Sequence, residues 1–94
     1  MELSFEWDPR KAATSREKHG ISFEEAIGVF GDPLARIFDG PDHSDREPRE
    51  IIVGRTTARR LLVVCFVHRR DRIRIFSARR ATRHERRDYE EGTS

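Results

Sequence analysis

The chain has 94 residues, 35% hydrophobic and 38% charged, with a net charge of +2, which makes one domain with a thin core. It contains no apolar run long enough for a membrane span, no basic-then-apolar start of a secretory signal, and a single cysteine, Cys65, which excludes an internal disulfide. A cytoplasmic domain over residues 1–94, with no membrane partner and Cys65 as buried packing, is therefore expected.

The elements read off in order. Residues 3–7 are apolar-rich and predict a first strand. Asp8-Pro9 predicts a helix start, because Asp8 can cap and proline at the first helical position loses no hydrogen bond. That helix runs to about Lys18 and stops at His19-Gly20, where glycine can take the left-handed conformation. Ser22 and Glu25 form a capping box, in which each side chain is expected to satisfy the other's amide. Phe23, Ala26, Ile27 and Phe30 follow at helical spacing as one apolar stripe, ending near Gly31-Asp32-Pro33.

Residues 34–38 read as a strand and residues 39–48 (DGPDHSDREP) as a polar loop that includes His43. Three strands follow: residues 50–55; residues 61–67 (LLVVCFV), apolar throughout and so mid-sheet; and residues 72–76, alternating Arg and Ile. The short links near Thr57-Ala58 and Arg70-Asp71 predict an antiparallel meander. Thr82 and Glu85 form a second capping box, opening a helix through Glu91. The order β-α-α-β-β-β-β-α predicts an α+β domain: two N-terminal helices packed on a twisted antiparallel sheet, against the 61–67 strand, with a C-terminal helix.

The charge is segregated. Between Arg55 and Arg87 lie twelve arginines and only two acids, Asp71 and Glu85, so this stretch is strongly positive and the rest of the chain negative. Seventeen of the 19 basic residues are Arg. A guanidinium matches phosphate with two parallel hydrogen bonds, where Lys offers a point charge. Arg72 and Arg74 share one face of their strand, Arg79 and Arg80 follow at its end, and Arg83, Arg86 and Arg87 continue along the last helix. A phosphate backbone fits across this Arg74–Arg80 corner, beside the helix start at Thr82. The alternative is an amphipathic strand whose wet face serves solubility.

His19 is the candidate proton carrier, since histidine exchanges a proton near neutral pH; a plain helix-ending residue is the alternative. His68 ends a strand and His84 lies in the last helix's first turn. None of the histidines has metal-ligand spacing, so no metal and no cofactor are expected. Trp7 reads as a core-edge residue, Tyr89 as the residue packing the last helix on the sheet, and Glu85 as a cap first and an Arg partner second.

Two segments carry a family resemblance. One is Phe5-Glu6-Trp7-Asp8-Pro9-Arg10-Lys11 with Lys18-His19-Gly20-Ile21-Ser22-Phe23-Glu24-Glu25-Ala26. The other is Arg72-Ile73-Arg74-Ile75-Phe76-Ser77-Ala78-Arg79-Arg80-Ala81-Thr82, with Glu85-Arg86 and Tyr89 after it. With Glu47-x-Arg49 and Gly54 between them, these resemble the BrnT family of bacterial toxins over nearly the whole chain. Many relatives differ at the position of Arg80.

The resemblance implies a RelE/ParE-like fold, a metal-independent ribonuclease that shuts down translation, and neutralisation by a BrnA-like ribbon-helix-helix antitoxin, through which alone operator DNA is bound. In such a mechanism the RNA 2′-OH attacks the adjacent phosphorus and cations stabilise the phosphorane. Arg74 and Arg79 are the first candidates to do so, with Arg49 and Arg80 behind them. His19 is the candidate acid or base, and Lys11, Lys18, Arg72 and Arg83 hold substrate. Arg74 and Arg79 are expected to converge on one phosphate. The rival readings are a non-catalytic nucleic-acid-binding module and a ParE-like toxin directed at gyrase.

Overall fold

Asp8 sets where the first helix begins. In the computed structural model, which describes residues 3–43 and 48–92, its carboxylate accepts the Arg10 amide at 2.8 Å and Pro9 opens α1 (Pro9–His19). Gly20 closes the helix at φ 67°, where a Cβ would be strained. The next helix is shorter than its stripe implied. α2 (Phe23–Ile27) passes at Gly28 into a 3-10 turn (Gly28–Gly31), and Phe23, Ala26 and Val29 are fully buried. Glycine is a weak helix former, and Gly28 lies against the backbone of Thr56.

Five strands follow in one sheet: β1 (Ser4–Trp7), β2 (Arg36–His43), β3 (Pro48–Arg55), β4 (Leu61–Arg69) and β5 (Arg72–Arg80), ordered β1-β5-β4-β3-β2. The apolar strand β4 is central, as expected. α3 (Arg83–Gly92) ends the described chain. Thr82 and Glu85 cap it reciprocally, at 2.8 and 3.1 Å.

Three expectations need correction. The sheet is mixed: β1 pairs parallel with β5, Ser4 opposite Arg72 and Trp7 opposite Ile75. Pairing between the two ends of a chain leaves no local signal. The expected 39–48 loop is largely strand, since β2 continues until His43 pairs with Pro48 across a register shift. Gly40 permits this close approach, for a Cβ there would sit 2.7 Å from the Arg49 carbonyl oxygen. Residues 44–47, with Glu47 of the resemblance, lie outside the described residues. Finally, α1 packs along β5 rather than on β4. β1 ends at Trp7, opposite Ile75, and α1 packs along β5 beyond it. The buried Ser15 hydroxyl lies 2.8 Å from the Ile21 carbonyl oxygen and 3.2 Å from that of Ala78.

The sheet carries a core on each face. On the α1–α2 face, Ile21, Phe23, Ala26 and Val29 pack on Leu62, Val64, Phe66, Ile73, Ile75 and Ala78. Trp7 meets Phe23 edge-on at 5.7 Å, at the core's margin as expected. Each such large side chain contributes about 1.5–3 kcal/mol by burial. On the other face Tyr89 of α3 joins Val53, Leu61 and Val63 in a much smaller cluster. Cys65 is half-buried on this side.

Candidate functional site

The site begins with a break in the alternation of β5. Ser77 pairs with Cys65 and Ile75 with Phe66, so Phe76 is the extra residue of a β-bulge. The bulge has two effects. Arg74 and Arg79, five apart, would point to opposite faces of a regular strand; here they lie opposite Val67 and Val63 and share the α3 side. The bulge also places the Phe76 ring among cations from three elements. Arg49 of β3 lies 4.4 Å from the ring centroid, Lys11 of α1 4.7 Å and Arg74 of β5 6.0 Å. A cation at such distances is attracted to the negative ring face.

Lys11 and Phe76 also line a cleft of about 280 Å³ between α1 and β5, together with Lys18, His19 and Ser77. His19 thus shares a cleft with Phe76, Ser77 and Ala78 of β5, while neither Arg74 nor Arg79 lines it. Among the described residues, the one carboxylate ion-paired to the ring cluster is Glu6, 3.0 Å from Arg74; Lys11 and Arg49 have none. Counted over the described residues, the cluster keeps net positive charge beside an open cleft, and that arrangement can hold an anion.

The other candidates lie elsewhere. Arg79 makes two parallel hydrogen bonds to Glu85, both 2.8 Å, and Glu85 also accepts the Thr82 amide. The Arg79 guanidinium, helped by the cap and opposed by burial, holds the Glu85 carboxyl at about 2. Arg74 is thus drawn toward β1 and Arg79 toward α3, each by its own carboxylate, so the expected convergence of the two on one phosphate does not occur. Arg80 lies opposite Leu62, on the sheet face away from Arg74. The Arg72 side chain is exposed, 3.9 Å from Glu6, and Arg83 is exposed at the start of α3. His68 and His84 are exposed, His84 within 3.5 Å of Asp88.

Two further carboxylates have structural partners. Glu25 does not complete the Ser22 box. Ser22 accepts the Glu25 amide at 3.0 Å, but the Glu25 carboxylate goes to Arg60 and Thr56, and the Arg60 hydrogen bond leads in lowering its pKa. Asp32 accepts the Arg55 amide at 2.7 Å and the Tyr89 hydroxyl at 2.8 Å. Burial alone would raise the Asp32 pKa, but these donors and the Leu34 amide outweigh it and hold it low. Burial first, then Asp32, raises that of Tyr89.

Phe76 was not singled out in the sequence. Its signal was present: Ile75-Phe76 places two apolar residues in succession where the strand had alternated, and the buried positions shift from 73 and 75 to 78.

The profile of the "ribonuclease toxin, BrnT, of type II toxin-antitoxin system" family matches residues 7–85. No curated protein matches. Among solved structures, the 1.1 Å crystal structure of the Brucella abortus ribonuclease toxin BrnT superposes with a TM-score of 0.67 at 22% identity, covering 87% of this chain and all of that one. At that identity the likeness speaks for the fold, a five-stranded mixed sheet with three helices. The family match spans more than half of the chain and includes Lys11, His19, Arg49 and Arg74. The chain belongs to the BrnT family of ribonuclease toxins of type II toxin–antitoxin systems.

Proposed function

We propose that the chain is a metal-independent endoribonuclease whose reacting phosphate sits at the Lys11–Arg49–Arg74 cluster beside Phe76. The observation that carries this reading is that Lys11 and Arg49 lie against one ring with no carboxylate partner among the described residues, and that Lys11 and the ring also line the α1–β5 cleft. The RNA 2′-oxygen attacks phosphorus as the bond to the 5′-oxygen breaks, leaving a 2′,3′-cyclic phosphate and a 5′-hydroxyl. The equatorial oxygens of the phosphorane gain negative charge, and three fixed cations stabilise it more than the ground state. His19 serves one end of the proton transfer, taking the 2′ proton while water protonates the leaving 5′-oxygen or the reverse, with Lys18 beside it as a phosphate contact. Arg79 leaves the catalytic set, since its donors are committed to Glu85.

In cells this activity inhibits translation. A BrnA-like ribbon-helix-helix antitoxin neutralises it, and operator DNA is bound only through that partner. Kinship of the fold with RelE/ParE toxins belongs to the same proposal, as does action in the cytoplasm; among the described residues no helix is long and apolar enough to cross a membrane.

The test is incubation of purified protein with total RNA in the presence of chelator. Fragments ending in cyclic phosphate, from the wild type but not from an Arg49→Ala/Lys11→Ala double variant of equal melting temperature, are the expected result. Intact RNA with salt-sensitive binding would favour a non-catalytic module. DNA damage preceding loss of translation in cells would favour a gyrase-directed toxin.

A further inference from the structure

Three like charges do not gather without a reason. Lys11, Arg49 and Arg74 come from a helix, an inner strand and the strand next to the sheet's edge, and mutual repulsion would spread their long side chains into water. Only Arg74 has a carboxylate partner among the described residues. What the three share is the Phe76 ring, at 4.7, 4.4 and 6.0 Å from its centroid. The ring occupies that place because Phe76 is the unpaired residue of the bulge. A half-buried ring lowers the energy of a cation on its face without neutralising it. A carboxylate would hold the same groups but cancel the charge they offer to phosphate, as Glu85 does for Arg79.

We infer that Phe76 is a positioning residue for the ribonuclease site: its ring fixes Lys11 and Arg49 beside the Glu6-paired Arg74 in a charged, preorganised cluster while touching no reacting atom. The inference rests on the assignment of the cleavage site to this cluster. Preorganisation acts on the transition state more than on initial binding, because loose cations still attract RNA. Loss of the ring therefore lowers kcat more than it raises KM.

The experiment compares Phe76→Leu, Phe76→Tyr and Phe76→Trp with the wild type in RNA cleavage, thermal unfolding and side-chain NMR of the protein without RNA. Phe76→Leu keeps an apolar side chain of similar size but loses the π face. Its kcat is expected to fall about tenfold or more, with KM changed by less than about threefold, and at least one aromatic variant restores kcat. In the NMR spectrum the Lys11 Hε and Arg49 Hδ signals of the wild type are expected upfield of their usual positions, and to move back in Phe76→Leu. A Phe76→Leu protein with wild-type kcat, or no rescue by either ring, overturns the inference.

The NMR arm stands apart from cleavage. Upfield shifts in a protein that does not cleave RNA would remove the ribonuclease site and leave the ring–cation cluster in place. Their absence in a protein that does cleave RNA would sink the positioning role alone. If Phe76→Leu does not fold, the wild-type shifts and the kcat of the Tyr and Trp variants still decide.

Discussion

Two arginines of one strand, on the same face and five residues apart, have opposite fates. Arg79 is bound by both carboxylate oxygens of Glu85, which also caps α3. Arg74 leans on Glu6 through one nitrogen and shares an aromatic ring with Lys11 and Arg49. The first corner is closed: its charge is cancelled and its geometry fastens a helix to the sheet. The second is more open, since among the described residues Lys11 and Arg49 meet the ring and no carboxylate, and a ring holds cations without cancelling them. Arginine number and sign do not separate a braced corner from an open one; the partners of the neighbouring cations do, a carboxylate for Arg79 and a ring for Lys11 and Arg49.

The sharpest way to break this comparison is to remove one cation from each corner. Arg49→Ala is expected to lower RNA cleavage about 10²–10³-fold, the usual cost of losing one preorganised donor, with little change in melting temperature. Arg79→Ala is expected to keep cleavage within a few-fold and to lower stability instead. The pair is partly exposed, its side chains 41% and 27% accessible, which limits it to about 1 kcal/mol despite the two-point geometry. In a domain of this size that is a fall of roughly 4–8 °C in melting temperature. Loss of cleavage in a folded Arg79→Ala protein of unchanged melting temperature would reverse the assignment.

Tyr89→Phe sharpens the structural side. It deletes the 2.8 Å hydrogen bond to Asp32 but leaves Asp32 its two backbone donors. The expected loss is about 1–2 kcal/mol in denaturant unfolding, with cleavage intact. The smallest effect is on the acid limb of stability. The folded-state pKa of Glu85 is depressed to about 2 from an ordinary 4.5. Its contribution is therefore complete above about pH 4.5 and is lost as pH falls toward 2. Glu85→Gln should flatten the stability profile in that window, measured by thermal melts at stepped pH. An unchanged slope would show that the Arg79–Glu85 pair contributes nothing there.

Local chemistry made much of the fold legible. Asp8-Pro9, Gly20, the Thr82–Glu85 box and the unbroken apolar run of β4 each depend on neighbours in sequence, and the structure keeps them. The parallel pairing of β1 with β5 was hidden because its determinants are some seventy residues apart. Charge segregation misled for the same reason. The arginine-rich stretch looked unopposed, yet Arg74 finds Glu6 and Arg60 finds Glu25, acids from the first third of the chain. In the site, Lys11, His19, Arg49 and Arg74 could be named from residue type and resemblance. Which of them stay free of a carboxylate depends on the bulge and on packing, and neither has a one-residue signature.

The edge strand at the start of the chain has a consequence for timing. β1 cannot complete the sheet until residues 72–75 have been made, and α1 needs the carbonyl of Ala78 for its anchor. Contacts this distant in sequence form late and slowly. During synthesis the growing polypeptide holds Lys11 and Arg49 before Arg74 or the ring that gathers them exists, so the cleft between α1 and β5 takes shape only once residues 72–78 have been added.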